Sequence, residues 1–150
     1  MVKAQTGGAG GPALPIDDAE AIRALIVEFH FLVDHGRAGE AAFIFAPDAR
    51  LVFGPGTPNP GTISGYDDIA AWLKVREAAP VITRHLLGPT RFDVRSADEV
   101  ATTTLLTLFK APGSDNPNVP AALADLEEVF VRTADGWREL VREVRPVAWA

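Results

Sequence analysis

At Pro80 the sequence changes its period. Upstream, apolar residues recur every three or four positions. Downstream they alternate, through Ile82–Val94, Val100–Lys110, Leu123–Thr133 and Trp137–Pro146. Ser96-Ala97-Asp98 and Ala134-Asp135-Gly136 carry tight-turn chemistry and predict two hairpins. The joint between them, APGSDNPNVPA, is a longer loop with the reach to cover something. Helices first and an antiparallel meander after them predict an α+β domain whose helices pack on one face of a sheet.

The upstream half supplies those helices. DDAEAIRALIVEFHFLVD repeats Ile22, Leu25, Ile26, Phe29, Leu32 and Val33 at helical spacing. Asp17 and Glu20 suggest a capping-box start, and Gly36 is a natural stop. A short second helix is expected over Gly39 to Phe45, ending at Pro47. ARLVFG (Ala49 to Gly54) reads as a strand, GPGTPNPG as a loop and Thr62 to Ser64 as a short return strand. GYDDIAAWLKVREAA reads as a third helix that turns Ile69, Trp72, Leu73 and the stem of Arg76 inward, ending at Pro80.

Composition limits the partners. The chain has 150 residues, enough for one domain with a real core. The expected division is a Gly-rich flexible tail over residues 1–15, without the apolar stretch of a secretory signal, and one domain over 16–150. Net charge is −6 and no basic run occurs, so nucleic acid and anionic membrane surfaces are not expected partners. The absence of cysteine excludes disulfides, thiol catalysis and thiolate metal sites, and it fits a cytoplasmic location. No apolar run approaches the length of a membrane span.

Three charged or titratable residues stand among apolar neighbours. Asp34 closes the first helix, where the helix dipole disfavours a carboxylate, and it shares a side with Ile26 and His30. Val81, Thr83, His85 and Leu87 share one face of the first long strand. In the last strand, strict alternation puts Leu140, Arg142 and Val144 on one face, and Trp137, Glu139, Val141 and Glu143 on the other. A carboxylate in Asp34's place needs a cation or donor, and His85 and Arg142 are the available kinds. A carboxylate that orients an imidazole makes a general base. His30, Asp34 and His85 could also hold a metal ion, but no tight ligand spacing supports one.

Taken in order, the helix, VDHGRAGEAAFIFAPDARLVFG, the GYDDI helix, TRH heading a strand and the final DGWRELVRE resemble the SnoaL-like branch of the NTF2-like superfamily. The resemblance runs from Asp17 to Val147. It implies a cone: a strongly curved antiparallel or mixed sheet wrapped around helices and enclosing one apolar pocket. Scytalone dehydratase-like and hexachlorocyclohexane dehydrochlorinase-like members carry an aspartate at the end of the first helix and a histidine early in the following long strand. Asp34 and His85 match these. Arg142, five residues after Trp137, matches the dehydrochlorinase-like arginine.

The resemblance therefore implies a lyase or isomerase that needs no cofactor or metal and acts on a small, largely apolar, possibly cyclic substrate. His85 would be the base, Asp34 its orienting partner and Arg142 a polar contact to substrate. Phe29, His30, Tyr66, Leu87, Leu106, Phe130 and Val144 are the expected substrate-binding residues. Leu105, Phe109, Leu126 and Leu140 are expected in the core and pocket wall. A homodimer or homotrimer is implied, with the outward sheet face holding Trp137 and Val141 as its interface. The superfamily also contains non-catalytic ligand-binding and assembly modules, which is the alternative reading. A further alternative resembles limonene epoxide hydrolase and would use Arg91 and Asp93 with Glu139 or Glu143. Asp67 and Asp68 need only the dipole of the helix they open, and His35 reads as an exposed loop residue.

Overall fold

The computed structural model describes residues 12–111 and 119–149. Most of the expected tail (residues 1–11) and most of the APGSDNPNVPA loop (residues 112–118) lie outside the described residues. Helix α1 (Ile16–Asp34) is followed by a 3-10 helix (Ala38–Ile44), strands β1 (Phe45–Phe53) and β2 (Gly61–Ser64), and helix α2 (Tyr66–Ala78). Four long strands complete the chain: β3 (Ile82–Ser96), β4 (Glu99–Ala111), β5 (Ala122–Thr133) and β6 (Gly136–Trp149). They form one sheet in the order β2-β1-β6-β5-β4-β3, antiparallel throughout except for the parallel β1–β6 pair.

The capping box expected at α1 does not form. Pro15 occupies the N-cap position with its fixed φ, no side chain caps the helix, and Glu20 pairs with Arg23 instead. The other end follows the sequence. Gly36 takes a φ of +71°, and the Arg37 amide turns back to the Leu32 carbonyl at 2.9 Å, closing the helix as glycine stops do. The 3-10 segment is followed directly by β1, which starts at Phe45 rather than Ala49 and accommodates Pro47 where its register with β6 breaks.

Two bulges decide which residues face the helices. In β3, Leu87 pairs with Leu106 and Thr90 with Thr104, so Gly88 and Pro89 together face Leu105. A Cβ on Gly88 would lie 3.0 Å from that of Leu105, so a side chain there forces its neighbour aside. In β6, Val141 pairs with Val129 and Glu139 with Phe130, leaving Leu140 as the extra residue. An extra residue flips the alternation beyond it. Trp137 and Glu139 therefore join Arg142 on the inner face, and all three are buried. Trp137 is not part of an outward face. It packs with Ile22, Ile26, Phe92 and Phe130 under α1.

The β3 bulge turns Phe92 inward and leaves Arg91 and Asp93 exposed on the outside, which removes the epoxide hydrolase-like constellation. Between β4 and β5 the register has no break, and the inner set is Val100, Thr102, Thr104, Leu106 and Leu108 with Ala122, Ala124, Leu126, Glu128 and Phe130. Leu105 and Phe109 have the opposite parity, so neither lines the core as expected; Leu105 is 52% exposed. The outer face instead gathers Leu86, Leu105 and Leu123, neighbours around Thr107. Among the described residues no helix is long and apolar enough to cross a membrane.

Candidate active site

The core is divided. The early turns of α1 cover one end of the sheet with Ile22 and Ile26, while Phe29 and Val33 join β1 and α2 in a second cluster. Between that second cluster and the group formed by Leu106, Ala124 and Leu126 lies a cavity of about 230 Å³. Its wall is mainly apolar, with Phe29, Leu51, Trp72 and Leu126 among its members. Into this wall the structure sets His30, Arg76, Thr83, His85, Lys110 and Arg142.

Asp34 and His85 meet. As the last residue of α1, Asp34 reaches the sheet's edge strand and accepts three hydrogen bonds there. They come from the Thr83 hydroxyl (2.7 Å) and His85 Nδ1 (2.6 Å) to Oδ1, and from the His85 backbone amide (2.7 Å) to Oδ2. Arg84 also donates to the Asp34 main-chain carbonyl at 2.8 Å, placing a cation at the helix's negative end. The dipole costs a carboxylate about 0.3–1 kcal/mol, whereas each hydrogen bond to a charged group contributes about 1.5–3 kcal/mol. The bonds decide the location.

Burial is the largest single influence on the Asp34 carboxyl and pushes its pKa up. The His85 ring, the His85 amide and Thr83 together outweigh it and hold the group below its ordinary value. An ionised carboxylate can only accept, so His85 Nδ1 carries the hydrogen. In the neutral ring Nε2 then keeps its lone pair, on a side chain that lines the cavity.

The second polar group centres on Arg142. It is 1% exposed, as is Glu128, while Glu139 is fully enclosed. Arg142 approaches Glu128 Oε1 and Glu139 Oε1 at 3.0 Å each and donates to Glu139 Oε2 at 3.1 and 3.2 Å. Its guanidinium carbon sits 3.6 Å above the Phe29 ring centre. The Oε1 atoms of Glu128 and Glu139 lie off the N–H directions and receive no aligned hydrogen bond. Burial drives the Glu139 pKa well above its usual value, the Arg142 charge opposes this, and the adjacent Glu128 adds to it. The direction favours a proton retained on Glu139.

His30 links the two groups. Its Nδ1 donates to the Ile26 carbonyl at 2.8 Å, its Nε2 accepts from Arg142 Nη1 at 3.3 Å, and its ring lies 4.9 Å from that of His85. Burial, then the Arg142 charge, depress its pKa far below the histidine range, so the ring is neutral with both nitrogens engaged. Among the described residues no group of three His, Asp or Glu side chains is placed to hold a metal ion.

Of the expected site residues, Phe29, His30, His85, Leu106, Arg142 and Val144 line the cavity, with Asp34 directly behind His85. Tyr66 does not; it is 39% exposed and borders a separate depression with Asp67 and Asp68. Phe130 and Leu87 are also outside the lining. Phe130 is fully buried under the first turns of α1, and Leu87 packs at the margin of two clusters. Sequence reading missed Glu128, although its place midway between Leu126 and Phe130 gave it inner parity. It also missed the heads of Arg76 and Lys110 and the hydroxyl of Thr83.

The model of the SnoaL-like domain matches residues 15–143. The chain belongs to the SnoaL-like family. Among curated proteins none matches. Similar solved structures include an NTF2-like protein of cystatin-like fold from Novosphingobium aromaticivorans, with 23% identity and TM-score 0.72, covering 88% of this chain and 83% of that one. A second protein of that organism, provisionally named a scytalone dehydratase, has 16% identity and TM-score 0.76 over 90% and 87% of the two chains. A Streptomyces avermitilis protein of the NTF2-like family, provisionally named a dehydratase, has 19% identity and TM-score 0.73 over 89% and 99%. At these identities the likeness is one of fold: this SnoaL-like domain is an NTF2-like α+β cone with an open six-stranded sheet.

The shifted groups make acid sensitivity testable. Asp34's folded-state pKa is lowered, so its stabilisation is present above the unfolded value near 3.9 and is lost as pH falls through the folded value. For His30 the folded pKa is also depressed. Below about pH 6.5 the unfolded chain binds a proton that the fold refuses, and stability falls. Thermal unfolding against pH is therefore expected to decline in two stages, the upper one absent in His30→Gln. An identical upper decline in that variant contradicts the assignment.

Proposed function

We propose that this SnoaL-like protein is a lyase or isomerase that removes a proton from a small, largely apolar, possibly cyclic substrate. The 2.6 Å bond between Asp34 and His85 in the wall of an apolar cavity carries this reading. His85 Nε2 takes a proton from a carbon beside an electron-withdrawing group. Asp34 holds the ring's tautomer and stabilises the imidazolium. Arg142 Nη1 has a second N–H beside the one given to His30, and it supports the negative charge that develops on the substrate.

In a dehydration, the electrons of the broken C–H bond form the double bond and hydroxide departs. The imidazolium returns the proton, giving water. In a double-bond shift the same proton returns to another carbon. The provisional dehydratase names of two structural neighbours agree with the first course.

One observation favours the non-catalytic alternative. Asp34 Oδ2 also ties the His85 backbone amide, so part of the arrangement serves to anchor α1 to an edge strand. A binding module needs that anchor but does not need the imidazole. Turnover separates the two readings. On cyclic β-hydroxyketones that the wild type dehydrates, His85→Ala is expected to lower kcat by about 10²–10⁴, with a parallel loss in Asp34→Asn. Unchanged turnover in His85→Ala, or no turnover of any elimination or isomerisation substrate, returns the reading to a binding module.

The proposed assembly is a homodimer or homotrimer that covers the outer leucines Leu86, Leu105 and Leu123, since exposed apolar patches mark contact surfaces. Light scattering at micromolar concentration is expected to give the mass of two or three chains, and a monomer for Leu105→Glu. A monomeric wild type rejects this interface.

A further inference from the structure

The chain carries 20 acidic and 14 basic residues, yet the cavity lining contains three cations, Arg76, Lys110 and Arg142, and no carboxylate. Asp34 stands behind His85 with its oxygens occupied by three donors, and Glu128 and Glu139 are bound to Arg142. Cations gathered around an apolar space favour an anionic ligand where a carboxylate of the protein does not already offset them.

The three cations are not equivalent. Arg142 is neutralised by Glu128 and Glu139 and fixed over Phe29. Arg76 comes from the last turn of α2 and crosses to β3, where Nη2 donates to the Thr83 hydroxyl at 3.0 Å. Among the described residues no carboxylate lies within ion-pair distance of it; Asp34 acts on it only at longer range. A guanidinium has five N–H donors, and Arg76 commits one of them. A position at the end of a helix explains a cation. It does not explain a half-buried guanidinium turned into an apolar cavity.

We infer that Arg76 anchors an anionic oxygen group, a carboxylate, on the substrate. Lys110, directly opposite Thr83 on β4, adds positive charge to the same part of the wall. Thr83 and His85 are two residues apart on the inner face, about 7 Å at strand spacing. Arg76, bonded to Thr83, and His85 thus border the same cavity within the span of a one-ring acid. The cavity, near 230 Å³, is smaller than the roughly 300–1,000 Å³ typical of drug-sized ligands, which suits such an acid. This inference rests on the cavity being the substrate site, and it narrows the class to small cyclic carboxylic acids.

Binding tests it without turnover. Benzoate against benzamide, and cyclohexanecarboxylate against its carboxamide, are titrated by NMR into wild type, Arg76→Gln, Arg76→Lys and His85→Ala. The acids are expected to bind wild type about tenfold more tightly than their amides, from the strength of charge-assisted hydrogen bonds. The preference is expected to vanish in Arg76→Gln, to persist in part in Arg76→Lys and to survive in His85→Ala. Equal affinity of acid and amide, an unchanged preference in Arg76→Gln, or no acid binding at millimolar concentration overturns the anchor. A preserved preference alongside unimpaired turnover in His85→Ala would overturn the proton-transfer mechanism alone.

Discussion

The structure depends on one carboxylate. Asp34 sits at a helix terminus that repels it, and the three donors that hold it there all belong to Thr83 and His85 of β3. The bond to the His85 amide uses a group that an edge strand leaves without a strand partner, so it fixes the end of α1 against the sheet. The bond to the ring selects the tautomer. A single side chain therefore sets both the position of the helix and the proton inventory of the imidazole.

The inner face tolerates its other charges by the same rule. Arg142 is desolvated, and a lone buried charge of that kind is strongly destabilising. Glu128, Glu139, His30 and the face of Phe29 compensate it on every side. His30 stays neutral because Ile26 takes its proton-bearing nitrogen and Arg142 occupies the other. Thr83, Asp34 and His85 thus form one chain of contacts, and Arg142 with its carboxyls forms another. His30 stands between them, beside the cavity.

Much of this was legible in the sequence, and the exceptions have separate causes. Helical spacing located α1 and α2, Gly36 located the stop, and the placing of Asp34 where a helix disfavours it was a true signal of a partner elsewhere. Alternation itself failed beyond the extra residues. Pro89 was a visible warning in β3, whereas nothing about Leu140 marks it as a bulge, so Trp137 and Glu139 were assigned outward. Parity without a break would have placed Leu105 outside and Glu128 inside. Which inner residues line the cavity was not legible. Phe130 has inner parity and full burial, yet the first turns of α1 cover it, and that depends on where one helix crosses the sheet.

The claim beneath the whole account is that Asp34 keeps the hydrogen of His85 on Nδ1 and leaves Nε2 bare toward the cavity. Nitrogen-15 NMR of the labelled protein at neutral pH reads this directly. The account predicts a protonated Nδ1, an unprotonated Nε2 and a strongly deshielded Nδ1 proton that is lost in Asp34→Asn. A His85 ring protonated on Nε2 alone, or one whose spectrum Asp34→Asn leaves unchanged, would contradict it.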